Sequence, residues 1–235
     1  MKELQKVNWY KIIIFYFSIL IITFLSRKLP NLFQIIVPLF TEVHLPWNFN
    51  HGFAILIVSI LFYKFYTDEK SKISFLGNQK VKALLFPIIL FTGYTIYGFK
   101  NNQGVDEHIW AFIFCFITFI YNIMEEYTWR GYLIENLGKL NLIIKSLISG
   151  IFWAVWHVFI FNDFEQYGGF YLFLIFCIVF SILLTFSVLK TKSLIVPITI
   201  HTLLIKTNIV TLICLIVFLI ILTTWNKIVL KRNEL

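Results

Sequence analysis

The sequence predicts an all-α membrane protein, a polytopic bundle of about eight transmembrane helices with both termini on the cytoplasmic side. Three observations carry that reading. Of 235 residues, 59% are hydrophobic and only 14% are charged, a composition of membrane proteins. Apolar runs long enough for a span, roughly 17 to 25 residues, recur along the whole chain. Basic residues also gather on alternate sides of those runs, as the positive-inside rule requires.

The first run, 9 to 26, follows Lys2, Lys6 and Lys11 and leads into SRKLP with no small-residue cleavage site, so it reads as a retained anchor. The stretch 29 to 47, LPNLFQIIVPLFTEVHLPW, holds Pro30, Pro38 and Pro46. Its longest apolar run is too short to cross, which predicts an interfacial or re-entrant segment. Further spans are expected near 49 to 66, 81 to 99, 109 to 135, 142 to 161, 170 to 189, 193 to 206 and 208 to 226, the last two meeting tightly at 206 to 208. A polar loop, TDEKSKISFLGNQK, occupies 67 to 80. With eight spans, the amino terminus and the segments near 64 to 82, 130 to 145, 190 to 192 and 227 to 232 share one side and hold most of the 20 basic residues. The net charge of +8 is thus a topology signal and a source of contact with anionic lipid. No basic stripe with interleaved stacking aromatics suggests a nucleic-acid partner. Cys115, Cys177 and Cys214 each sit in an apolar run without metal-type spacing, which predicts core packing. With no repeat and no low-complexity linker, residues 1 to 235 read as one integral-membrane domain.

Polar residues inside the spans are few. An ionisable side chain at the bilayer centre costs about 2.5 to 3.5 kcal/mol on insertion scales, so such groups face the bundle interior and take partners. They are Asn122, Glu125, Glu126 and Arg130 in the fourth span, His157 in the fifth and His201 in the seventh. In an α-helix Glu126 and Arg130 lie one turn apart, acid first, the favoured order for an ion pair. Glu125 points about 100° away, toward the face of Asn122, Trp129 and Tyr132, and has no cation three or four residues from it. A carboxylate in such a low-dielectric site suits general-base work. Trp153 and His157 share a face one turn apart, with Ser149 a turn earlier. Pro197 precedes His201 by four residues, where it is expected to loosen the backbone ladder beside the histidine. Counted from the span ends, Glu125, His157 and His201 fall at similar depth, and a carboxylate with two histidines on three helices makes a hydrolytic set.

These motifs resemble a known family, the CAAX protease and bacteriocin-processing intramembrane proteases, also called Abi proteins or type II CAAX endopeptidases. EEYTWR (125 to 130) matches its EExxxR motif, WAVWH (153 to 157) matches FxxxH with Trp153 in place of the usual Phe, and KTKSLIVPITIH (190 to 201) is similar to the stretch that supplies the last histidine. The resemblance covers about 108 to 210, the expected protease core. It implies about eight helices and peptide-bond hydrolysis of a membrane-associated peptide or protein. Glu125, His157 and His201 would be catalytic, with Glu126, Arg130, Trp153 and Asn122 in support. Where the family has Asn or Asp four residues after the last histidine, this chain has Ile205, and Asn208, seven residues on, is expected a further 10 Å or so along the same helix face. That departure favours the alternative, a non-catalytic relative acting in bacteriocin self-immunity or as a membrane scaffold. No cofactor is expected; the alternative is zinc held by Glu125, His157 and His201 with an open fourth position. The abundance of Ile, Phe, Lys and Asn points to an AT-rich bacterial coding sequence and hence to a multi-pass protein of the bacterial plasma membrane.

Overall fold

The computed structural model describes residues 7–39, 47–67 and 71–226, and among these the chain is helical, with a single isolated bridge and no strand. The basic stretches at both termini, and with them the orientation assigned to those ends, lie outside the described residues, as do residues 40–46 and 68–70 within the two connections. The helices are α1 (Trp9–Arg27), α2 (Leu32–Ile36), α3 (Asn50–Tyr66), α4 (Lys80–Tyr97), α5 (Glu107–Glu126), α6 (Ile134–Asn136), α7 (Leu142–His157), α8 (Phe170–Thr191), α9 (Ile195–Thr202) and α10 (Ile209–Thr223). A π-helical turn, Tyr127–Leu133, joins α5 to α6 without a break.

Each expected span therefore has a helix, but the lengths divide them. Trp9–Leu39, Lys80–Tyr97, Glu107–Asn136 and Phe170–Thr191 are long and apolar enough to cross a membrane, whereas Asn50–Tyr66, Leu142–His157, Ile195–Ile205 and Ile209–Thr223 are shorter. At 1.5 Å per residue the eleven residues of Ile195–Ile205 reach only about 17 Å. Polar caps set several boundaries. Asn8, Asn31, Asn141 and Asn208 each accept a hydrogen bond from a first-turn amide of the helix that follows, satisfying donors that the helix itself leaves orphaned.

Two compact units emerge: Met1–Ser71 with Met124–Thr185, and Lys72–Ile123 with Phe186–Leu235. In the first, α1 buries Ile12, Phe15, Ile19, Thr23 and Ser26, a stripe at three- and four-residue spacing that packs on α3. Its other faces leave Ile13, Phe17, Ile21 and Phe24 exposed. In water such a surface would be untenable, but in lipid it is the expected outside of a bundle. The short α2 also exposes Leu32, Ile35 and Ile36. Asn50 ties it down, donating from Nδ2 to the Pro30 carbonyl at 2.8 Å. Between α7 and α8 the backbones meet at Gly150, where a Cβ would stand 2.7 Å from Ile178 Cα and 3.0 Å from the Cys177 carbonyl. Only glycine allows that approach.

In the second unit α4 packs on α9 and α10. Tyr94 of α4 pins the turn between those two: its hydroxyl lies 3.2 Å from the Leu203 carbonyl, 3.1 Å from that of Lys206 and 2.7 Å from Thr211 Oγ1. The loop before α4 does more than connect. Ser74 N–H donates to the Lys192 carbonyl at 2.9 Å, and Leu194 and Ile195 N–H donate back to Ser74 and Phe75 at 3.0 Å, so the loop grips the α8–α9 turn by main-chain bonds. Gly77, with φ +67°, lies against Thr191 and Ser193 in the same contact. Cys115, Cys177 and Cys214 are buried free thiols, in keeping with a packing role.

Candidate active site

The end of α5 is an unusual place for charge. Glu125, Glu126 and Arg130 are all buried, and the last two are fully so, at 0% exposure. Arg130 Nη1 donates to Glu126 Oε1 at 3.1 Å, which is the expected pair four residues apart. Arg130 Nη2 donates to Ser181 Oγ of α8 at 2.8 Å. The guanidinium also lies over the Trp153 ring, with Cζ 5.0 Å from its centroid, within the range of a cation–π contact. An ion pair taken out of water is tolerable only with such supporting hydrogen bonds.

The helix changes character beneath this cluster. Straight after Glu126 it widens into the π turn, so the α-helical face that would align Glu125 with Trp129 and Tyr132 does not continue past Glu126. Wide turns of this kind are frequent at functional sites. Thr128 anchors the turn to α3 through its hydroxyl, 2.9 Å from Ser59 Oγ. At the turn's far end the buried Lys145 of α7 caps the chain, with Nζ 2.9 Å from the Ile134 carbonyl.

Helix α7 brings the histidine and its neighbours. Trp153 Nε1 donates to Glu125 Oε2 at 2.7 Å. One turn on, His157 Nδ1 lies 2.7 Å from the Trp153 carbonyl. A carbonyl only accepts, so Nδ1 carries a proton, and in the neutral ring Nε2 is the nitrogen with the lone pair. The His157 ring is enclosed by aromatic side chains, with centroid distances of 4.9 Å to Trp156, 4.9 Å to Phe161, 5.1 Å to Phe173 and 5.3 Å to Trp153. The first unit thus unites Glu125, Glu126, Arg130, Trp153 and His157 around one indole.

Asn122 and His201 belong to the second unit. Asn122 Nδ2 donates to Thr202 Oγ1 at 3.0 Å, so this amide braces α5 against α9 one residue from His201, and both side chains are buried. Two expectations about this region fail. Helix α9 begins only at Ile195, which puts Pro197 in its first turn. The amide that proline lacks there would have had no intrahelical partner, so the ladder beside His201 is not loosened. The helix also ends at Thr202 in a 3-10 turn, Leu203–Ile205. Asn208 therefore does not continue the face of His201; it caps α10 in a reciprocal pair with Thr211.

Sequence reasoning missed two buried residues of the first unit. His51, in the first turn of α3, is buried with its ring centroid 5.8 Å from that of Trp156. Ser181 takes the second Arg130 bond, and the signal for it was a hydroxyl within the apolar run of α8. Among the described residues no group of three or more His, Cys, Asp and Glu is placed to hold a metal ion.

No curated protein and no solved structure is significantly similar to this chain. Against family models the outcome is different: residues 106–204, from the cap of α5 to the turn after α9, match the Rce1-like model, described as type II CAAX prenyl endopeptidase Rce1-like, so this region of the chain is similar to that family.

Proposed function

We propose that the protein is an intramembrane endopeptidase that hydrolyses a membrane-associated peptide or protein with water activated by Glu125 and His157. The family match supports a membrane protease type of activity. One observation of this chain carries the finer reading: Glu125 and His157 are held by the two ends of the same residue, the indole N–H and the carbonyl of Trp153, each at 2.7 Å. A carboxylate of α5 and a histidine of α7 are thus fixed by one residue, which supports the pairing that would orient one water.

In the proposed reaction Glu125 takes a proton from water while His157 Nε2 accepts its second hydrogen bond, and the hydroxide adds to the scissile carbonyl carbon. His201, assigned by its motif, donates to the oxyanion. Collapse of the tetrahedral intermediate breaks the C–N bond, and Glu125 returns its proton to the leaving amine. Glu126 and Arg130 do not react. Their pair, with Ser181, holds the π turn so that Glu125 is aimed toward α7. The bacterial plasma membrane is the proposed location, with peptide maturation, signalling or bacteriocin self-protection as the role.

A second reading is favoured by Ile205, which stands where the family's amide or carboxylate side chain would join His201. An oxyanion donor of that kind contributes on the order of 10² to 10³ in rate in other hydrolases, and its loss suits a non-catalytic relative acting as an immunity or scaffold protein. Comparing peptide termini in cells with wild-type protein, Glu125→Gln or no protein separates the two. A terminus that appears only with wild type supports proteolysis. If Glu125→Gln rescues the null phenotype and leaves every terminus unchanged, the protease reading falls.

A further inference from the structure

Trp153 meets three functional groups through three different parts of itself. Its N–H binds Glu125 Oε2 at 2.7 Å, its carbonyl binds His157 Nδ1 at 2.7 Å, and its ring face lies under the Arg130 guanidinium at 5.0 Å. The residue is 2% exposed, so these contacts are made out of water, where each fixes its partner more firmly. Its indole can only donate, and a carboxylate can only accept. The bond therefore selects an Oε2 that carries no proton and one orientation of the Glu125 carboxyl group. The main-chain bond selects one tautomer of His157.

We propose that Trp153 is a positioning residue that couples the orientation of Glu125 to the tautomer of His157, and that its indole N–H is the specific group this chain uses to hold the base. A phenylalanine at 153 would keep the ring under Arg130 and the carbonyl against His157, yet could not make the bond to Glu125. The inference takes its catalytic consequence from the hydrolytic reading above, but the bond can be tested without turnover.

The test is NMR of the full-length protein in lipid nanodiscs with ¹⁵N-labelled tryptophan indoles. Trp153→Phe removes one resonance and so assigns Trp153 among the seven tryptophans. The expected wild-type signal lies downfield and is protected from solvent exchange. In Glu125→Gln, where only an amide oxygen is left to accept, it should shift upfield, while the other indole signals stay in place and report an intact fold. A Trp153 signal that is the same in wild type and Glu125→Gln would overturn the proposal. In cells, Trp153→Phe should lower the yield of any wild-type-dependent peptide terminus by about 10²-fold, the scale of a misaimed catalytic group; full yield would also overturn it. If no such terminus exists, the protease reading fails, and the indole signal still decides whether Trp153 holds Glu125.

Discussion

Breaking the Glu126–Arg130 pair should cost far more than removing it. Both side chains are 0% exposed and lie 3.1 Å apart, so Arg130→Met leaves a carboxylate in a site shaped for a cation. Losing one member of a buried pair costs about 3 to 5 kcal/mol, whereas replacing both by apolar groups of similar size is often neutral or better. Arg130→Met also gives up the 2.8 Å bond to Ser181 and the contact with the Trp153 ring, which puts it near the upper end. Glu126→Leu should fall near the lower end, because Ser181 and the Trp153 face still attend the cation. The double variant should recover most of the loss and come within about 1 to 2 kcal/mol of wild type. Reversible unfolding in bicelles, with the four proteins compared in one cycle, measures the coupling. Simple additivity of the two single losses would refute the idea that the pair acts as a unit.

Other outcomes are expected elsewhere. Gly150→Leu should lower the unfolding temperature sharply and Gly150→Ala by less, about 1 to 3 kcal/mol, because the added carbon meets the α8 backbone at 2.7 Å; thermal unfolding in detergent reads it. Tyr94→Phe should speed amide exchange in the α9–α10 turn and cost on the order of 1 kcal/mol, since one hydroxyl serves both carbonyls there. Asn208→Ala should lose about 1 kcal/mol as a removed helix cap and leave peptide processing intact, whereas His201→Ala should abolish processing. Loss of processing on Asn208→Ala would show that this residue is more than a cap.

What could be read from the sequence depended on how local the determining physics was. A bilayer demands an apolar run for each helix, so Trp9–Arg27 and Phe170–Thr191 were legible from composition alone. The pair of Glu126 and Arg130 was legible because four residues is one turn. The π turn was not, because nothing in YTWRGYL distinguishes a wide turn from an ordinary one; the bonds that accompany it, from Thr128 to Ser59 and from Lys145 to Ile134, come from distant segments. Pro197 misled for a related reason. Its effect depends on its distance from the helix start, and that start is set where the loop at 74–75 grips 192–195 through main-chain atoms that any side chains could accompany. The Trp153 indole bond could have been suspected, since a buried tryptophan N–H needs an acceptor and acceptors in these spans are scarce.

The π turn also separates two problems that a regular helix would tie together. In an unbroken α-helix each residue's direction follows from its neighbours', so re-aiming Glu125 would rotate everything up to Asn136. Seven residues wound more widely absorb that rotation between Tyr127 and Leu133. Deleting one of them should therefore act as a change of phase more than of length: the helix could close into regular α form, and Ile134, Leu137 and the chain beyond would swing by about 100° relative to the two glutamates. The motif thus owes its aim to chain that follows it, and transplanting EEYTWR alone into another helix would carry over the charges without their direction.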